Sequence, residues 1–107
     1  MPRDAKLFDR FDGSPARALK NMTGNIPPSW IARAKRARKS REGDVVRAMK
    51  KVQRLRRTRP KALATIRAAE AELRALLKDW ELSYRKETFY HGLRVLLELR
   101  REGKSNR

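Results

Sequence analysis

Apolar residues recur at helical spacing along most of this chain, and at the alternating spacing of a strand nowhere. The clearest register comes after Pro60, where Leu63, Ile66, Ala69, Leu73, Leu76, Leu77, Trp80 and Tyr84 stand three or four residues apart and predict a helix from about 60 to 84. A second set, Phe89, Leu93, Leu96 and Leu97, widened by Val95 and Leu99, predicts a helix from about Thr88, as its cap, to Arg101. If the break near Lys86 is absent, the two are one long helix. Upstream, Val45, Met49 and Val52, with Leu55 beside them, give one apolar stripe on a helix from about 45 to 59. The segment 29–40 has only Trp30 and Ile31 as large apolar residues. Its alanines favour helix while its cations occupy more than one face.

Turn chemistry supplies the boundaries. Ser14 is placed to cap and Pro15 to start a short helix over 14–24, and Gly24 can close it in the left-handed conformation. Asn25-Ile26-Pro27-Pro28 reads as a rigid connector. Gly43 and Asp44 read as a break between two helices, and Pro60 forces another boundary. Residues 1–13, with Leu7, Phe8 and Phe11 among mixed charges, read as an extended arm that is either a frayed tail or an anchor on a partner; 104–107 read as a tail. The expected fold is therefore all-α. It has an extended N-terminal arm and about five helices, the last two long and packed as a helical hairpin.

Charge divides the chain further. The net charge is +17 over 107 residues, and the stretch from Trp30 to Lys61 alone carries +12. Its cations are Arg33, Lys35, Arg36, Arg38, Lys39, Arg41, Arg47, Lys50, Lys51, Arg54, Arg56, Arg57, Arg59 and Lys61, opposed only by Glu42 and Asp44. Residues 62–107 carry only +3. There Glu70, Glu72, Asp79 and Glu81 stand at ion-pair spacing from Arg67, Arg74, Lys78 and Arg85. By charge the chain reads as an N-terminal region with a short helix (1–29), basic binding helices (30–61) and a C-terminal packing region (62–107).

The residue inventory excludes much chemistry. Without cysteine there are no disulfides, thiolate metal sites or cysteine nucleophiles. His91, the single histidine, lies among Phe89, Tyr90 and Leu93 and reads as a packing or hydrogen-bonding residue; no metal site, catalytic set or cofactor is expected. There is no glycine-rich phosphate loop, and one histidine gives no serine–histidine–acid pattern; with the acids at ion-pair spacing, neither an enzyme nor a small-molecule substrate is expected. No apolar run approaches the length of a membrane span. The N-terminus, with Asp4, Asp9 and Asp12, makes a poor transit peptide, and no secretory signal is evident.

So much like charge side by side repels itself, which points to a polyanionic partner. Arginine predominates, and its planar fork suits phosphate and stacks on exposed bases, which favours structured RNA. In overall character the chain resembles the small, lineage-specific proteins of ribosomes, mitochondrial ones above all. The likeness lies in the arm at 1–13, the proline-punctuated basic helices at 27–60 and the absence of a catalytic set. The resemblance implies a structural constituent of a ribosomal subunit in the mitochondrial matrix, or otherwise in cytoplasm or nucleus. It would neutralise rRNA phosphates through the fourteen cations above and contact neighbouring ribosomal proteins. Two alternatives stand beside it. One is a DNA-binding protein of nucleoid or regulatory type, for which a helix–turn–helix would use the turn at Gly43. The other is a basic helical module for an acidic protein or a membrane surface.

Overall fold

The computed structural model describes residues 3–22 and 24–105; residues 1 and 2 of the expected arm, Thr23 and residues 106 and 107 of the expected tail lie outside them. The described chain is all-helical. It has four helices: α1 (Arg3–Arg10), α2 (Pro15–Lys20), α3 (Pro28–Thr58) and α4 (Leu63–Ser105). The last two are long and packed together.

The count of five fails because two expected breaks do not form. Glycine in a helix interior costs about 1 kcal/mol relative to alanine, but it ends the helix only when its backbone turns left-handed. Among the described glycines, positive φ occurs at Gly13 and Gly24 and not at Gly43. Ion pairs Arg38–Glu42 and Arg47–Asp44 stand on either side of Gly43 within the same helix. Thr88 does not cap either. Its Oγ1 donates to the carbonyl of Tyr84 at 3.0 Å, one turn back, so α4 runs through.

The arm is also corrected. Residues 3–10 are helical, and Phe8 is buried. α1 ends at Asp12 (φ 52°) and Gly13 (φ 71°), whose N–H donates to the carbonyl of Phe8 at 2.8 Å. Ser14 caps α2 by accepting from the Arg17 N–H at 3.3 Å, as expected. Closure, however, comes at Asn21, whose Nδ2 donates to the Arg17 carbonyl, rather than at Gly24. The helix at the far end reaches 105, where a tail was expected to begin at 104.

Contacts divide the chain into two compact units: Met1–Arg36 with Tyr84–Arg107, and Ala37–Ser83. This division follows packing, whereas boundaries at 29/30 and 61/62 follow charge.

In the first unit Phe8, Ala18, Ile26, Ile31, Ala34, Phe89, Tyr90, Leu93 and Leu97 form the core, with Trp30 packed against it. Its rings meet edge to face: Phe8 on Phe89 at 5.5 Å, Phe89 on Tyr90 at 4.9 Å and Trp30 on Tyr90 at 6.1 Å between centroids. Trp30 is thus a packing residue. Ile31 and Ala34 give the start of α3 a core face, although its composition reads as polar nearly all round. α4 gives the core Phe89, Tyr90, Leu93 and Leu97, which leaves Val95, Leu99 and His91 exposed rather than packed. Gly92 faces Pro15: a Cβ there would stand 3.4 Å from its Cγ. Arg100 joins the ends of this unit, donating to the carbonyls of Leu19 at 2.9 Å and Met22 at 2.7 Å just beyond α2.

The second unit is a two-helix hairpin. Pro60 stops α3, and the turn is closed by Arg59 N–H to Leu55 O (2.8 Å) and Ala62 N–H to Arg59 O (3.0 Å). Val45, Ala48, Val52 and Leu55 of α3 face Ile66, Ala69, Leu73, Leu76 and Trp80 of α4, all buried or half-buried. Both rows alternate steps of three and four, the seam of a coiled coil. The expected stripe through Met49 is therefore displaced: Ala48 is 7% exposed and Met49 45%. A row of 45, 48 and 52 keeps the seam centred, and a small side chain at 48 lets the helices come close. For the same reason Leu63, Leu77 and Tyr84, which matched the sequence register, are exposed.

Candidate nucleic-acid interface

Twelve of the expected RNA-binding cations lie on α3, and Arg59 and Lys61 lie in the turn that follows. Arg33, Lys35 and Arg36 belong to the first unit and the rest to the second. All fourteen are exposed except Arg38, which is half-buried and donates to Glu42 at 3.1 Å.

Helical geometry sorts the cations of the second unit. At about 100° per residue, positions 39, 43, 47, 50, 54 and 57 fall within an arc of about 80°, opposite the seam. Five of these positions are Lys39, Arg47, Lys50, Arg54 and Arg57, all exposed, and the sixth is Gly43. The ridge extends about 27 Å along the helix at about 1.5 Å per residue. Its members stand one turn apart.

The acids are distributed differently. Intrahelical pairs were expected for Glu70 and Glu72, but both reach across the seam: Arg56 to Glu70 at 3.1 Å and Lys51 to Glu72 at 3.5 Å. These two acids flank the buried row of α4, so the nearest cations are those flanking the buried row of α3. On the ridge only Arg47 has a carboxylate partner among the described residues, Asp44. Exposed pairs such as these contribute at most about 1 kcal/mol each. Their larger effect is on the field: Lys51 and Arg56 beside the seam are offset, whereas on the ridge only Arg47 is.

The ridge is a line of exposed positive charge on the face of α3 away from the seam. Among the described residues no group of three or more His, Asp or Glu side chains gathers as a metal site would require. No helix of the described residues is long and apolar enough to cross a membrane. The turn that a helix–turn–helix would need at Gly43 is replaced by continuous helix. The ridge spacing is present in the sequence, but reading a break at 41–44 cuts it in two. Arg100 and its carbonyl partners, 81 and 78 residues away, leave no local signal. No protein-family model, curated protein or solved structure matches this chain.

Proposed function

We propose that this chain is a structural RNA-binding protein, a constituent of a ribosome of the mitochondrial type, that neutralises rRNA phosphates and bridges neighbouring proteins. One observation carries the reading: an exposed cationic ridge on α3, Lys39 to Arg57, set opposite a packed seam and left without carboxylates except at Asp44. A ridge of this kind gains most from a regular polyanion, because each neutralised phosphate releases condensed counterion. Arginine and lysine spaced along one helix face suit phosphate contacts, which position without specifying sequence. The exposed apolar side chains Tyr84, Val95 and Leu99 of α4 support contact with neighbouring proteins.

The test is sedimentation of the tagged protein from its own cells on a sucrose gradient, with and without ribonuclease. Co-migration with a ribosomal subunit, abolished by digestion or high salt, is the expected result. Migration at the top of the gradient, or with DNA, refutes the reading.

A further inference from the structure

Gly43 is the one position of the α3 ridge without a side chain, and among the described residues no contact asks for glycine there. Its backbone is helical, without the positive φ of Gly13 and Gly24. A Cβ at 43 would meet only the Nη1 of Arg47, at 3.6 Å, which is ordinary contact with the end of a flexible side chain. Gly13 and Gly92 differ: a Cβ would meet Phe8 Cε2 at 3.0 Å in the first case and Pro15 Cγ at 3.4 Å in the second. Gly103 has open space too, but it lies in the last turn of α4, where helices fray and glycine costs little. Gly43 sits in the middle of a 31-residue helix, where glycine is the poorest helix former after proline. Folding alone would favour alanine.

Its surroundings supply a reason. Lys39 lies one turn before it and Arg47 one turn after, both exposed and on the same face. The ridge therefore has a notch with a cation on each side. Glycine is the residue used where a ligand must approach a backbone closely.

We propose that Gly43 is the point at which an RNA sugar–phosphate backbone crosses α3. The strand lies in the notch against the helix backbone, and Lys39 and Arg47 take the phosphates on either side. Arg47, which donates to Asp44 in the free protein, exchanges that carboxylate for a phosphate. The assignment rests on the RNA-binding reading above and adds to it a contact that carries no charge.

That property separates the two in one experiment. A fluorescein-labelled RNA hairpin with a double-helical stem is titrated with the full chain, its Gly43→Ala and Gly43→Gln variants, and Lys50→Ala, at several salt concentrations. Gly43→Ala is expected to raise the thermal midpoint of the free protein yet weaken binding about fivefold. Gly43→Gln should weaken it further. Neither should alter the slope of affinity against salt, because neither removes a cation. Lys50→Ala should weaken binding and reduce the slope by about one. If Lys50→Ala behaves so while both Gly43 variants bind like the parent, the crossing point is wrong and the RNA reading survives. If the parent does not bind the hairpin, or binds without salt dependence, the RNA reading fails and the crossing point with it. A Gly43→Ala protein with a lowered midpoint would give the glycine a packing role and also overturn the proposal.

Discussion

Replacing Arg100 with methionine removes two hydrogen bonds that tie the last turns of α4 to the end of α2. Its guanidinium donates at 2.9 Å to the Leu19 carbonyl and at 2.7 Å to that of Met22, in a half-buried position. Hydrogen bonds from a charged donor contribute about 1.5–3 kcal/mol each. Half-burial lets water reach the freed carbonyls, so the low end applies, and the two bonds together contribute about 3 kcal/mol. Methionine keeps much of the aliphatic packing, so the loss reports the bonds. The assay is urea unfolding followed by Trp30 fluorescence in a Trp80→Phe background. Trp30 packs on Tyr90 within the first unit, so its signal reports that unit. Arg100→Met should lower the unfolding free energy by about 3 kcal/mol, and Arg100→Lys by about half as much, since an ammonium cannot fork to two fixed carbonyls. A loss below about 0.5 kcal/mol for Arg100→Met, the level of an ordinary surface change, would refute the argument. Full rescue by lysine would show that charge at the helix end, not the forked geometry, is what matters.

Further substitutions test other parts of the fold by thermal or urea unfolding. Ala48→Leu should destabilise by about 1–3 kcal/mol through overpacking of the seam, whereas Met49→Ala should stay within about 0.5 kcal/mol; the reverse order would restore the stripe through 49. Leu93→Ala, at a side chain with 0% exposure, should cost about 2–5 kcal/mol, and Val95→Ala, two residues on and 53% exposed, almost nothing. Gly13→Ala meets both a left-handed backbone and the Phe8 ring at 3.0 Å, so a loss of at least about 1–2 kcal/mol of unfolding free energy is expected, seen as a lowered thermal midpoint. A melt unchanged from the parent would refute this.

Helical periodicity and punctuation are local, and what depends on them could be read from the residues. Ser14, Pro15, Pro28 and Pro60 mark boundaries the structure keeps, because a cap and a missing N–H act within one turn. Gly43 and Thr88 misled for the converse reason. Their local preferences are weak, about 1 kcal/mol or less, and the packed rows on either side continue through them. Phe8 gives no local sign of its burial, since its partner Phe89 is 81 positions away. Likewise Glu70 and Glu72 match intrahelical spacing as well as they match Arg56 and Lys51; only the seam decides between them. The fourteen cations needed no structure to be found. The continuity of five of them, Lys39 to Arg57, on one ridge required α3 to be unbroken.

The nesting of the two units sets an order of assembly. The hairpin closes between near neighbours, Arg56 and Glu70 being 14 residues apart, while the first unit joins Arg100 to Leu19 across 81. Closing a short loop costs less entropy and is faster, so the hairpin is the natural nucleus. In a chain made from its N-terminus, α1 and α2 emerge first and are buried last. Phe8 and Trp30 lack their ring partners Phe89 and Tyr90 until the second half of α4 has been synthesised. The interval of exposed apolar surface thus falls early in the life of the molecule, and it lengthens with any delay in translating the second half of α4.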